Sequence, residues 1–157
     1  MKKIILPILP NRPIKKNEKT KEGYFLLKKF YKHGYVKNML FDNKSIKYDK
    51  KYQNDQSNSM LFRKHMLHSY GILKRRFPKK SKLVEVGCGK GAFLEIVKND
   101  NYFDYKGFDE TYEGSNKNIQ ARNLNDKDRI FADIIVLRHT LEHINSPLKF
   151  LDLLKKI

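Results

Sequence analysis

The 157-residue chain contains one cysteine, few glycines and prolines, and no long apolar run. Cys88 alone cannot form an internal disulfide framework or a cysteine-based zinc cluster. Eight glycines and five prolines are too few for a collagen-like or low-complexity fibre. No stretch approaches the roughly 20 apolar residues that a membrane-spanning helix needs. Since 39% of the residues are hydrophobic, we expect a globular chain with one modest core. Because no apolar run is long enough, we expect no membrane partner.

Acidic residues are scarce in the first half of the chain. Residues 1–83 hold 23 Lys and Arg against five Asp and Glu, whereas residues 84–157 hold 11 against 12. A basic region attracts polyanions, so nucleic acid is one candidate partner. The alternative, which we favour, is an AT-rich coding bias that enriches Lys, Asn and Ile.

The first ten residues do not predict a secretion signal. Two lysines precede a short apolar stretch that Pro7 and Pro10 interrupt, and no small-residue cleavage site follows. We therefore expect a cytoplasmic location, which agrees with a lone reduced cysteine.

The N-terminal part of the sequence predicts little regular structure. Residues 1–22 lack periodicity and predict an extended arm, and residues 23–53 predict short strands and turns. Over residues 57–77, apolar positions recur at spacings of three and four, which predicts an amphipathic helix. Ser57 or Ser59 would cap this helix, and Pro78 would end it.

The remainder of the chain alternates between strand and helix patterns. We predict a strand at 82–86, a helix at 92–99, a strand at 105–108, a weak strand near 118–124, a strand at 132–139 and a helix at 146–157 that Ser146 caps. This order is typical of an α/β fold with a Rossmann-like parallel sheet. We divide the chain into a basic N-terminal arm and lid segment (1–55) and a ligand-binding domain (56–157).

Glycines and two acidic residues surround the first turn of this α/β pattern. In VEVGCGKGAF, the residues Gly87, Gly89 and Gly91 lie between a strand and a helix. Glycines allow a sharp turn and let a ligand lie against bare backbone, and the helix start offers free N–H groups. Asp109 ends the next strand, where an acid can accept hydrogen bonds from ribose hydroxyls. The three glycines and Asp109 together predict a nucleoside-binding crevice.

The position of Glu85 indicates which nucleoside binds. GCGKGA can be read as a relaxed dinucleotide fingerprint, which would favour NAD. However, an acid two residues before the first glycine disfavours a pyrophosphate and suits a cation. S-adenosylmethionine carries an ammonium group and no phosphate, so we favour it over NAD. An ordinary glycine turn without a ligand is the third interpretation.

Three segments resemble the class I S-adenosylmethionine-dependent methyltransferases. LVEVGCGKGAFLEIV resembles their motif I, YKGFDETYEG their second strand with its ribose-binding acid, and ADIIVLRHTLEHINSPLKFL their fourth strand and following helix. The short gap after Asp109 and the upstream segment 34–65 are similar to the branch that contains nucleotide-sugar C-methyltransferases. The resemblance covers about residues 34–157.

The resemblance implies roles for individual residues. The cofactor-binding set would be Glu85, Gly87, Cys88, Gly89, Gly91, Asp109, Glu110, Leu137 and Arg138. Within it, Asp109 would hold the ribose, and we expect Cys88 to be a small buried residue. Tyr48, Tyr52 and residues 57–62 would form a lid over the cofactor. His139 and His143 are the candidates for a general base, because C-methylation requires a carbon acid to lose a proton near neutral pH.

The sequence departs from this branch in two places. Relatives often carry an N-terminal zinc region with paired cysteines, but His33 stands where a cysteine is expected, so we expect the zinc module to be absent or degenerate. The family sheet has seven strands, whereas this sequence predicts only the first four. We therefore expect an incomplete sheet in a truncated or fragmentary chain, or one that a partner chain completes.

The HTLEH segment does not change the expectation that no metal is bound. His139, Glu142 and His143 match a zinc-protease pattern, but a third protein ligand has little room in the 14 residues after His143.

The leading hypothesis is methyl transfer from S-adenosylmethionine to a small-molecule acceptor such as a sugar nucleotide. The alternatives are a truncated, non-catalytic cofactor-binding subunit and a nucleic-acid methyltransferase.

Overall fold

The structure is a computed structural model that describes residues 4–8, 16–17, 19, 21–41 and 59–157. The chain divides into two units, Met1–Gln53 and Asn54–Ile157. Among the described residues, no helix has the length and apolar character needed to cross a membrane.

The first unit contains two antiparallel strand pairs. Strand β1 (Ile4–Ile8) pairs with β2 (Lys21–Phe25), and β3 (Leu27–Phe30) pairs with β4 (Tyr35–Asn38). The expected short strands are confirmed for β2, β3 and β4. The prediction of an extended arm over residues 1–22 is wrong for β1, which is a paired strand. The partner that supplies its hydrogen bonds is distant in sequence, and local periodicity cannot reveal such a pairing.

The second unit begins with helix α1 (Met60–Arg76). The Ser59 hydroxyl caps it by accepting a hydrogen bond from the Phe62 N–H at 3.4 Å, which confirms one of the two predicted caps. The helix ends just before Pro78, as predicted, and buries Met66 and Tyr70. The predicted start at residue 57 lies outside the described residues.

The rest of the second unit is a parallel α/β layer, which confirms the predicted fold class. Its elements are β5 (Lys82–Val86), α2 (Ala92–Asp100), β6 (Asp104–Phe108), β7 (Ile119–Gln120), β8 (Ile134–Val136), a 3₁₀ turn (Leu141–His143) and α3 (Pro147–Leu154). The strands are ordered β7-β6-β5-β8, and every neighbouring pair is parallel. This order places β5 between β6 and β8.

Two details of these elements differ from the sequence prediction. Strand β8 covers three residues of the predicted eight, because the chain turns after Val136 and reaches a left-handed backbone at His139 (φ +52°). The Ser146 hydroxyl makes no capping bond, since the Ser146 backbone (φ −124°, ψ 73°) does not have the extended geometry of a cap. Instead, its carbonyl accepts a hydrogen bond from the Phe150 N–H at 3.1 Å.

The core lies on both faces of the sheet, as a nearly continuous apolar strand requires. Leu83 belongs to the cluster that contains Phe93 and Phe103, whereas Val84 and Val86 belong to a second cluster. Successive residues of β5 therefore contribute side chains to the core on both faces of the sheet. Glu85 is the exception, because it is a fully buried carboxylic acid among the apolar residues of this strand.

We expect truncation of a core ring to destabilise the protein far more than truncation of a surface ring. Phe103 is 2% exposed and packs edge-on against Tyr70, with 5.9 Å between ring centroids. Phe103→Ala should lower the free energy of unfolding by about 3–5 kcal/mol, measured by urea denaturation. The matched control is Phe131→Ala, because Phe131 is 64% exposed; its loss should be below about 1 kcal/mol. Equal losses would contradict this description of the core.

Candidate functional site

The strand order brings three loops to one edge of the sheet. The chain leaves β5 toward β6 and later crosses to β8 on the opposite side of β5. The carboxyl ends of these parallel strands therefore flank a point where the order reverses, which is where open α/β sheets bind ligands. The loops at this edge begin at Gly87, Asp109 and Leu137.

The three glycines after β5 all have positive φ, but they serve different purposes. A Cβ on Gly87 would overlap the Thr140 side chain, and one on Gly91 would lie 2.7 Å from the Cδ1 atom of Ile119. Packing against Thr140 therefore requires glycine at position 87, whereas at position 91 the end of the Ile119 side chain would have to move and the positive φ (+80°) favours glycine. Apart from its two chain neighbours, no described residue has an atom within 4 Å of the position that a Cβ on Gly89 would occupy. The space beside Gly89 is consequently open, and a ligand can lie against its backbone there.

Asp109 connects the end of β6 to the glycine loop. Its Oδ2 atom accepts a hydrogen bond from the Gly89 N–H at 2.7 Å. Its Oδ1 atom accepts from the N–H and the hydroxyl of Thr111, at 2.8 and 2.6 Å. A carboxylate offers about four lone-pair sites, so Asp109 retains acceptor capacity beside the open space. Its neighbour Glu110 is exposed and accepts a hydrogen bond from the Asn123 amide at 2.8 Å.

Glu85 forms a buried ion pair with Arg138. The Arg138 Nε–H donates to Glu85 Oε1 at 2.8 Å, and the exposed fractions of the two side chains are 14% and 0%. The Arg138 guanidinium carbon lies 4.5 Å from the Phe93 ring centroid. Burial raises the pKa of Glu85 to about 7; the Arg138 charge and hydrogen bond oppose this rise, and the Asp109 charge adds to it. Glu85 Oε2 and Arg138 Nη1 are buried without a hydrogen-bond partner among the described residues.

The two predicted histidines lie in different surroundings. His139 is 56% exposed, and its ring centroid is 5.8 Å from that of Phe62 and 6.4 Å from that of His65 on α1. Its Nδ1 atom lies 3.7 Å from the Glu142 carboxylate. His143 is exposed and ends the 3₁₀ turn. His65 is not among the residues predicted from the sequence, because helical spacing alone does not show that it lies near His139.

The structure also locates the other predicted residues. Leu137 packs against the second core cluster, and Cys88 is a buried member of the first. Burial and nearby carboxylates raise the pKa of the Cys88 thiol above its usual range, so the side chain is a neutral thiol. The lid candidates Tyr48 and Tyr52, and the part of 57–62 before Ser59, lie outside the described residues.

Sequence reasoning missed Thr140, which contacts the glycine loop directly. Its hydroxyl donates to the Val86 carbonyl at 3.2 Å, and its side chain occupies the space that a Cβ on Gly87 would need. No sequence motif indicates this contact. Within the described part of the chain, no group of three or more His, Cys, Asp or Glu side chains is arranged to hold a metal ion.

The parallel sheet and the glycine loop that follows β5 define a Rossmann-like α/β domain. A family model described as a methyltransferase domain matches residues 62–157. Because the match covers more than half of the chain, the chain belongs to this family of S-adenosylmethionine-dependent methyltransferases. No curated protein matches the chain.

The raised pKa of Glu85 predicts a pH-dependent stability difference. Between its ordinary pKa of 4.5 and the folded value of about 7, the folded state keeps a proton that the unfolded state releases. The contribution of Glu85 to the free energy of unfolding therefore falls as pH rises through this interval. Glu85→Gln removes the titrating group. The free energy of unfolding of the variant minus that of wild type should therefore increase by on the order of 1–3 kcal/mol as the pH is raised from about 5 to about 8.

Urea denaturation at several pH values would measure this difference. The matched control is Glu95→Gln on α2, where the carboxylate is 46% exposed, and its difference from wild type should stay nearly flat over the same interval. A flat difference for Glu85→Gln as well would show that Arg138 offsets the effect of burial on the carboxyl group.

Proposed function

We propose that this chain binds S-adenosylmethionine at the carboxyl ends of β5, β6 and β8 and transfers its methyl group to a small-molecule acceptor. The observation that carries the proposal is the open space beside Gly89, whose amide donates to Asp109. The Asp109 carboxylate would accept one ribose hydroxyl with its remaining lone-pair site, and Glu110 lies next to it. The backbone at Gly89 would lie against the ligand without a Cβ in the way.

Glu85 and Arg138 would serve the methionine end of the cofactor. Their ion pair lies at the same sheet edge as the glycine loop, since Glu85 precedes Gly87 by two residues and Arg138 follows β8. When bound, S-adenosylmethionine supplies an electrophilic methyl group on a sulfonium. The other members of the predicted cofactor-binding set would shape the glycine loop and its packing. These residues are Gly87, Gly91, Cys88 and Leu137.

A sugar nucleotide is the acceptor that we favour. The support is the similarity of segment 34–65, and of the short connection from Asp109 to β8, to the nucleotide-sugar C-methyltransferase branch. For such an acceptor, His139 would remove the proton from the carbon that attacks the methyl group. Its exposed imidazole lies three residues after β8, beside Phe62 and His65, where an acceptor can reach it. His143 is the second candidate for the base.

Binding of S-adenosylhomocysteine tests the cofactor site by calorimetric titration. Gly89→Ala would place a Cβ in the open space, and Asp109→Ala would remove the acceptor for the ribose, so each should weaken binding at least about tenfold. The Gly89 variant should remain folded, because the new Cβ would meet no atom of the described residues beyond its chain neighbours and costs only about 1–2 kcal/mol at positive φ.

The matched glycine control is Gly71→Ala on α1. Its Cβ would meet only the Arg75 side chain at 3.5 Å, and alanine favours a helix, so this variant should bind as wild type does. Unchanged affinity in both Gly89→Ala and Asp109→Ala would place the cofactor elsewhere and overturn the proposal.

The acceptor class and the base can be tested together by measuring S-adenosylhomocysteine release. With a panel of nucleoside diphosphate sugars as acceptors, we expect turnover that His139→Asn lowers about 10²–10⁴-fold while S-adenosylhomocysteine affinity is kept. His68→Asn, on an exposed position of α1, is the control and should leave turnover unchanged. Turnover with single-stranded RNA alone, lost steeply as salt is raised, would instead favour the nucleic-acid alternative.

A further inference from the structure

The hairpin formed by β3 and β4 carries aromatic rings and positive charge but no acidic residue. Residues 23–41 contain four lysines and no Asp or Glu. None of the ion pairs among the described residues involves Lys28, Lys29 or Lys32. A coding bias can raise the number of lysines, but it does not set where their ammonium groups lie relative to the rings. The positions of the rings and charges on the hairpin therefore carry the information.

The backbone and one pair of rings hold the hairpin in a defined shape. The four-residue loop ends at Gly34, whose positive φ (+71°) favours glycine and whose N–H donates to the Phe30 carbonyl at 2.8 Å. At the open end of the hairpin, the Asn38 side-chain oxygen accepts from the Leu26 N–H at 2.9 Å. Phe30 and Tyr35 stack across the two strands, with 4.9 Å between ring centroids and 5° between ring planes. The loop between the strands therefore has a firm base.

Tyr31 is the ring that the hairpin presents to solvent. It is the first residue after β3 and is 85% exposed, whereas Phe30 and Tyr35 are half-buried. The Lys29 Nζ atom lies 5.3 Å from the centroid of the Tyr31 ring, and the Lys28 Nζ atom lies 5.6 Å from that of Phe30. A planar base can stack on an exposed ring while a neighbouring ammonium group binds the adjoining phosphate.

We propose that the β3–β4 hairpin binds single-stranded nucleic acid, with a base stacked on Tyr31 and backbone phosphates at Lys28, Lys29 and Lys32. Exposed rings beside positive charge bind single strands with little regard to sequence, because every base has a flat face. A duplex offers its phosphates to the lysines but keeps its bases inside the helix, where Tyr31 cannot stack on them. An isolated nucleotide fits less well, because small ligands bind in concave pockets that bury most of their surface. The hairpin uses no residue that is assigned to the cofactor site.

Fluorescence anisotropy with a labelled oligouridylate of about 12 nucleotides tests the stacking, and a duplex of the same length is the second probe. In Tyr31→Ala, the affinity for the single strand should fall about fivefold or more while the affinity for the duplex stays unchanged, because only stacking is lost. Tyr31→Trp keeps a ring and should bind the single strand as wild type does. The matched control is Phe131→Ala, because Phe131 is 64% exposed and has the Lys82 Nζ atom 5.0 Å from its centroid. This control should leave both affinities unchanged.

The salt dependence of binding tests the lysines. Replacing Lys28, Lys29 and Lys32 together with Gln removes three phosphate contacts, so the slope of log K against log salt concentration should become shallower by about 2. The control variant carries the same substitution at three exposed lysines of the second unit, which are Lys106, Lys117 and Lys149. It changes the net charge of the chain by the same amount and should keep the wild-type slope.

Four results would overturn this role of the hairpin. They are no binding of the oligouridylate by wild type at low salt, wild-type affinity in Tyr31→Ala, equal changes of slope in the two lysine variants, and displacement of the oligouridylate by uridine diphosphate at an equal concentration of nucleotide. The third result would assign binding to the net charge of the chain, and the fourth would assign the surface to an isolated nucleotide. None of them bears on S-adenosylhomocysteine binding, so the cofactor site is tested separately.

Discussion

The parallel pairing of β5 with a strand on each side is the constraint on which the rest of the second unit depends. It buries β5 on both faces, so that Leu83 contributes to one core cluster and Val84 to the other. Because all strands run in the same direction, the glycine loop, Asp109 and Arg138 leave the sheet at one edge. The packing that stabilises the domain is thus also what assembles the site.

The buried carboxyl group of Glu85 joins the fold to the chemistry of the site. An acid buried in the central strand requires a cation, and Arg138 supplies it through a single hydrogen bond. That contact pairs the buried charge but leaves one oxygen and one nitrogen without partners among the described residues. In the function proposed here, the pair lies at the methionine end of the cofactor, so the same contact serves the folded state and the site.

Local patterns predicted most of the elements but not all of their limits. Ser59, Pro78 and the glycines after β5 act on their immediate neighbours, so their effects on α1 and on the first turn of the sheet could be read directly. The early end of β8 could not be read from a local pattern, because it depends on the turn that carries the chain to His139. The pairing of β1 was missed for a related reason, since its partner is distant in the chain.

The sequence by itself determined the α/β class, the glycine turn and the two acidic residues of the candidate cofactor site. These features have a short period or a fixed spacing, and both can be read along the chain. Only the tertiary structure decided that Gly87 is required by packing against Thr140 while Gly89 meets none of the described side chains. It also decided that Glu85 meets Arg138, which is 53 residues away. Such contacts depend on how strands align in a sheet, and no local property of either residue contains that information.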